Sequence, residues 1–217
     1  DFSRQPSLNL KEGEIMDKKT FFNEQAADWD RHFYGPDLLE RLNQLVSLFQ
    51  LRPASLLLDV GCGTGGIVPY LLQAIGPEGR IWSVDFAEKM VEIAKKKFAS
   101  EPRVSFRLAS VESLPFDSEF FDHVVCFGAF PHFADKELAL REMYRVLRKG
   151  GTLIIAHALS SEEIKAHHKG ASPVSRDFLP EEMEMKKLLA DAGFQVARLI
   201  DRPKCYLCEG SKEGTPQ

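Results

Sequence analysis

Three glycines give the chain its first chemical feature. Gly61, Gly63 and Gly66 follow the apolar run 55–60 with GxGxxG spacing. After a strand, such spacing makes a tight turn and lets the backbone approach a ligand closely. Asp85 lies nineteen residues beyond Gly66, at the end of a second apolar run. A carboxylate there can accept hydrogen bonds from both hydroxyls of a ribose. Dinucleotides and other nucleoside ligands fit both features equally. Asp59, two residues before Gly61, is expected to separate them. Its negative charge would repel a pyrophosphate and attract a cationic ligand such as S-adenosylmethionine.

Histidine supplies the candidate proton-transfer groups, since its charge changes near neutral pH. His132 follows the fourth strand-like run and His157 ends the fifth, so both are candidate catalytic residues. His167 and His168 lie in a polar, irregular stretch, 160–180, which reads as an insertion shaping a substrate site. Their spacing matches no metal-ligand motif, and no metal is expected. Cys205 and Cys208 have CxxC spacing. They sit in a strand-like segment, where residues three apart face opposite sides, so they are not expected to share a metal or close a disulfide. With Cys62 and Cys126 they form no disulfide framework, which suits a reducing cytoplasm.

The elements that must position these groups alternate. Strands are expected at 55–60, 80–84, 104–108, 123–127 and 152–156. Helices are expected at 66–75, 87–98, 136–148 and 181–190. Two closing strands, 194–200 and 205–209, are joined by four residues, too few for a crossover helix, so they should run antiparallel. The pattern predicts an α/β fold: a Rossmann-like, doubly wound sheet of seven strands, mostly parallel with a terminal antiparallel strand, and helices on both faces. Ahead of this core (51–217) stand a polar tail, 1–15, and a helical segment, 16–50. Gly35-Pro36 breaks that segment, Asp37 is expected to cap its second helix, and Arg52-Pro53 to end it. Phe22, Trp29 and Tyr34 are candidate lid or substrate contacts.

Composition narrows the classes further. Hydrophobic residues make up 44% and charged residues 28% of 217, which suits a packed globular core. The net charge of −4 argues against a nucleic-acid footprint, which needs a basic face. No apolar run is long enough to span a bilayer, and no segment has a signal-peptide pattern. A cytoplasmic monomer or homodimer is expected.

Several ordered motifs carry a family resemblance. Residues 57–65 (LLDVGCGTG), 83–90 (SVDFAEKM), 114–116 with 121–125 (LPF, FDHVV) and 140–153 (LREMYRVLRKGGTL) occur in register. Together they resemble the class I S-adenosylmethionine-dependent methyltransferases, in particular the group holding the ubiquinone and menaquinone-biosynthesis and many small-molecule enzymes. The resemblance implies S-adenosylmethionine as methyl donor and a small-molecule acceptor. It also implies that the backbone of Gly61, Cys62, Gly63 and Gly65 lines the methionine part of the donor, with Asp85 on the ribose. Phe86, Met90, Ser110 and Val111 would meet the adenine, and the backbone of Phe127 the methionine amino group. Ser110 stands where family members often carry an aspartate. The fourth run leads into 127–131 (FGAFP), so the motif of amino-group DNA methylation is missing, as is the acidic metal site of catechol-type enzymes. A nicotinamide oxidoreductase and a non-catalytic binding domain are the competing readings.

Overall fold

The computed structural model describes residues 18–167 and 173–214. Seven strands form one sheet: β1 (Leu56–Val60), β2 (Arg80–Asp85), β3 (Val104–Leu108), β4 (Phe121–Phe127), β5 (Leu147–His157), β6 (Gln195–Arg202) and β7 (Cys205–Ser211). Their order is β3-β2-β1-β4-β5-β7-β6. β7 runs antiparallel to both β5 and β6, and every other pairing is parallel. The expected antiparallel closing pair is present, with the chain-terminal strand inserted beside β5 rather than at the sheet edge.

Helices cover both faces. Leu42 and Val46 of α3 (Pro36–Ser47), Leu71 of α4 (Val68–Ile75) and Ala94 of α5 (Glu88–Lys97) pack on Leu57, Ile81, Val125 and Ile154. Leu140 and Met143 of α6 (Lys136–Val146) and Met185 and Leu189 of α8 (Glu182–Asp191) pack on Leu58, Val124 and Leu153. Strand alternation divides the apolar residues between the two layers. It also puts Cys205 in one layer and Cys208 in the other, as the strand reading of the CxxC requires.

Local geometry corrects several expected boundaries. The segment before the core is helical at 18–25 (α1), passes through a 3-10 turn (Ala26–Asp28) and resumes as α2 (Trp29–Phe33). Gly35, not Asp37, caps α3, because Pro36 takes the first helical position, where its missing N–H costs nothing. That helix stops at Ser47, ahead of Arg52-Pro53, and Gln50 turns left-handed at φ +51°. α6 ends at Val146, and β5 begins at Leu147, opposite Phe121. Within the insertion, Ser161–His167 is a helix, α7, rather than irregular chain. The tail 1–15 and His168 lie outside the described residues.

The strand order reverses between β1 and β4. Ligands of open α/β sheets bind at such a switch point, in the crevice beyond the carboxyl ends of the strands. The glycine loop, Asp85, Phe127 and His157 all end strands there.

Candidate active site

The loop after β1 turns at Gly61 with φ +71°, a conformation only glycine adopts readily. A Cβ at Gly61 would collide with the Cβ of Ala129 in the chain leaving β4. The loop and the β4 exit are therefore in close contact. Asp85, buried at the end of β2, braces the loop. Its Oδ2 accepts from the Gly63 N–H at 2.8 Å and its Oδ1 from the Ala87 N–H at 2.9 Å. Burial raises its carboxyl, opposed by the backbone hydrogen bonds it accepts.

Two cavities open above this frame. The smaller, about 50 Å³, lies between Asp85, Phe86, Ser110, Val111 and Glu112, with Lys18 and His132 on its wall. Ser110 donates its hydroxyl to the Glu112 carboxylate, so the cavity has a charged acceptor where Ser110 alone offers a neutral one. The larger cavity, about 390 Å³, runs from Gly61, Cys62 and Gly63 past Asp85, Phe86 and Met90 to Phe127, His132 and His157. Phe22, Trp29, Phe33, Tyr34, Leu159, Ile164 and His167 enclose it, and His32 and Arg41 also contribute to its lining. Gly61, Asp85, Phe86, His132 and Phe133 line both cavities and so divide them.

Residues 18–34 sit over the loop as a cover. Trp29 Nε1 lies 3.5 Å from where a Cβ of Gly63 would stand, and Tyr34 fills the space that a Cβ of Gly66 would need. The Thr64 hydroxyl donates to Asp30 Oδ1, while Lys97 Nζ donates to Asp30 Oδ2 at 2.8 Å. Asn23 Oδ1 accepts from the Lys89 N–H, and Lys19 pairs with Glu88. The cover thus touches both the glycine loop and the start of α5.

Most of the residues singled out from sequence meet at these cavities, but Asp59, Gly65 and Gly66 line neither. Asp59 is 1% exposed and accepts from the Ser83 hydroxyl at 3.1 Å. Strand alternation turns Leu58 and Val60 to one layer and Leu57 and Asp59 to the other, so the Asp59 carboxylate lies beneath the loop. Burial raises its pKa to about 7, so it is not a fixed negative charge facing the ligand. A Cβ at Gly65 would meet Phe98.

Other site residues gave no local sequence signal. Asp177 Oδ2 is 2.8 Å from His132 Nδ1, and its Oδ1 is 2.7 Å from Lys18 Nζ. Lys18 and Asp177 are 159 positions apart, and both are buried. Burial pushes the Asp177 carboxyl upward, but the hydrogen bonds and charges of His132 and Lys18 hold it below the usual range. His157 Nδ1 accepts from the Leu159 N–H at 3.1 Å. Among the described residues, no group of three or more His, Cys, Asp or Glu side chains could hold a metal, and no helix is long and apolar enough to cross a membrane.

Comparison with known proteins agrees with this architecture. Residues 58–155 match the family model described as a methyltransferase domain. The chain is 34% identical over 128 residues to a demethylmenaquinone methyltransferase of Staphylococcus aureus (strain JH9), a match covering 53% of each protein. It therefore spans about half the length of the curated relatives it matches. An S-adenosylmethionine-dependent methyltransferase from Aquifex aeolicus superposes with TM-score 0.72 at 24% identity, over 87% of this chain and 97% of that one. The cyclase SpnF superposes with TM-score 0.64 at 20% identity, over 80% and 81%. These likenesses establish the fold and bear out the resemblance to class I methyltransferases.

Proposed function

We propose that this chain, a class I methyltransferase fold whose residues 58–155 match the methyltransferase domain, transfers the methyl group of S-adenosylmethionine to a small-molecule acceptor. The observation that carries the reading is the larger cavity. One wall is the glycine loop with Asp85, and the same space continues past Phe127 to His157 under an aromatic cover. One enclosed volume therefore serves both a nucleoside ligand and a second molecule.

S-adenosylmethionine supplies a methyl group already activated by its positively charged sulfur. What remains for the protein is to align the acceptor and exclude water. Asp85 offers acceptor oxygens to the ribose. Glu112 and Ser110 offer them to the adenine, with Phe86, Met90 and Val111 as apolar walls. Cys62 and the backbone at Gly61, Gly63 and Phe127 border the methionine end. Phe22, Trp29 and Tyr34 close the site from above.

The cover, rather than Asp59, argues against a nicotinamide dinucleotide. Such a ligand needs its pyrophosphate against the loop and the start of the following helix. Here Tyr34 lies on Gly66, and the Asp30 carboxylate bonds Thr64. A dianion would meet a ring and a negative charge. The cyclase on the same fold is a reminder that fold alone does not establish chemistry.

Calorimetry with S-adenosylhomocysteine and with NAD tests the reading. Binding of the first and not the second is expected. Asp85→Asn should weaken S-adenosylhomocysteine binding by roughly 1.5–3 kcal/mol, about ten- to a hundredfold. Preference for NAD would overturn the proposal.

A further inference from the structure

The larger cavity has a carboxylate at one end and a guanidinium at the other. Among the described residues, Asp85 is the only carboxylate lining it, and it ends β2. Arg41, from α3, lines the same cavity. Backbone carbonyls from three segments hold its guanidinium. Nε donates to the Asp37 carbonyl at 3.1 Å, and Nη1 donates to the carbonyls of Ala158 at 3.2 Å and Lys204 at 3.3 Å. These partners fix the group without neutralising it, and among the described residues no carboxylate pairs with it. The Glu163 carboxylate, which feels the Arg41 charge, accepts instead from the N–H groups of Ser160 at 2.8 Å and Lys204 at 2.7 Å. Nη2 therefore keeps both of its N–H groups unengaged. A half-buried guanidinium bonded only by neutral carbonyls retains its attraction for an anion.

Arg41 also stands at the end of the cavity away from the ribose site. Its partner Ala158 follows β5, whereas Asp85 ends β2, and β1 and β4 lie between those strands. Neighbouring strands are about 4.8 Å apart, so three steps separate the two ends by roughly 14 Å. The β5 end is left for the second molecule. Its walls are apolar: Leu38, one turn earlier on α3, and Leu159, next to Ala158, line the cavity with Phe127 and Ile164.

Resting on the methyltransferase reading, we propose that the acceptor is an apolar molecule bearing a carboxylate, and that Arg41 selects and orients it by binding that carboxylate through Nη2. The apolar body lies against Leu38, Leu159 and Ile164, and its far end faces the glycine loop. Arg41 takes no part in making or breaking bonds. One guanidinium nitrogen suits a singly charged group; a phosphate dianion calls for more donors.

The test measures binding by calorimetry to the full chain saturated with S-adenosylhomocysteine. The probes are naphthalene-2-carboxylate, the neutral naphthalene-2-carboxamide and 2-naphthyl phosphate. The wild-type chain is expected to bind the carboxylate about tenfold or more tightly than the carboxamide. In Arg41→Met, which keeps an apolar stem, that preference should shrink to within about twofold, and Arg41→Lys should retain part of it. S-adenosylhomocysteine affinity should stay within about threefold in both variants, which separates loss of the carboxylate site from loss of the fold. Equal binding of carboxylate and carboxamide, binding of neither, tighter binding of the phosphate, or an undiminished preference in Arg41→Met would each overturn the inference while leaving donor binding intact. Loss of S-adenosylhomocysteine binding in both variants would overturn it too, by assigning Arg41 to the fold. Failure of the wild-type chain to bind S-adenosylhomocysteine would overturn the methyltransferase reading, and this inference with it.

Discussion

Gly61 shows how little freedom the loop leaves. Its φ of +71° and the nearby Ala129 Cβ both work against any side chain. Gly61→Ala should destabilise the fold by roughly 1–3 kcal/mol, read as a lowered urea midpoint. It should also weaken S-adenosylhomocysteine binding, because the β4 exit must shift. Gly66 has a different reason to be glycine. The GxGxxG spacing predicts it, but its occupant, Tyr34, comes from a segment that no local pattern ties to the loop. Asp59 shows the limit of reading a charge from its position. Its place beside Gly61 was legible, but its direction depended on which strand face packs beneath α4.

At the scale of elements, residues 18–34 behave as a cover held by a few polar contacts. Asp30 joins it to Thr64 and Lys97. Asp30→Ala should speed release of S-adenosylhomocysteine about fivefold, measured by stopped flow: the lost Thr64 bond is worth about 1 kcal/mol, and the accessible Lys97 pair adds little. Trp29, which lines the larger cavity, can report ligand binding. Trp82 packs on Phe120 and Phe121 and lines neither cavity, so Trp82→Phe leaves Trp29 as the reporter. Its fluorescence should change on binding; an unchanged signal, with binding verified by calorimetry, would count against the cover. The aromatic content of this segment was legible in the sequence. Its division into α1, a 3-10 turn and α2 was not, because that depends on how the chain drapes over the loop.

Across the whole molecule, two buried groups in the sheet oppose each other in their response to pH. His123 accepts from the Arg52 N–H and bonds Thr152. Burial, followed by the charge of Arg52, lowers its pKa to about 4. Its contribution to stability is complete above its ordinary pKa of about 6.5 and is lost as pH falls towards 4. Asp59 is raised to about 7. Its contribution is complete below its ordinary value of about 4 and is lost as pH rises to 7. The two slopes, each up to about 1.4 kcal/mol per pH unit, largely cancel between about pH 4 and 6.5. Asp59→Asn should therefore gain stability with rising pH across that window relative to wild type, and His123→Gln should lose it. Urea midpoints at several pH values check the signs. Slopes of the same sign would refute the assignment.

The sequence by itself determined the alternation of strands and helices, the antiparallel closing pair, the glycine loop and the acid at the end of β2. These follow from local periodicity, turn chemistry and spacing, which a chain carries along its length. It also placed His132 and His157 near strand ends. Only the tertiary structure decided what they face: Lys18 and Asp177 meet His132 from distant segments, and the Leu159 N–H bonds His157 Nδ1. It likewise buried Asp59 outside both cavities and laid Asp30 and Tyr34 over the loop. The physical reason is range. Backbone propensities act over a few residues, whereas burial and buried ion pairs exist only once segments remote in sequence have packed together.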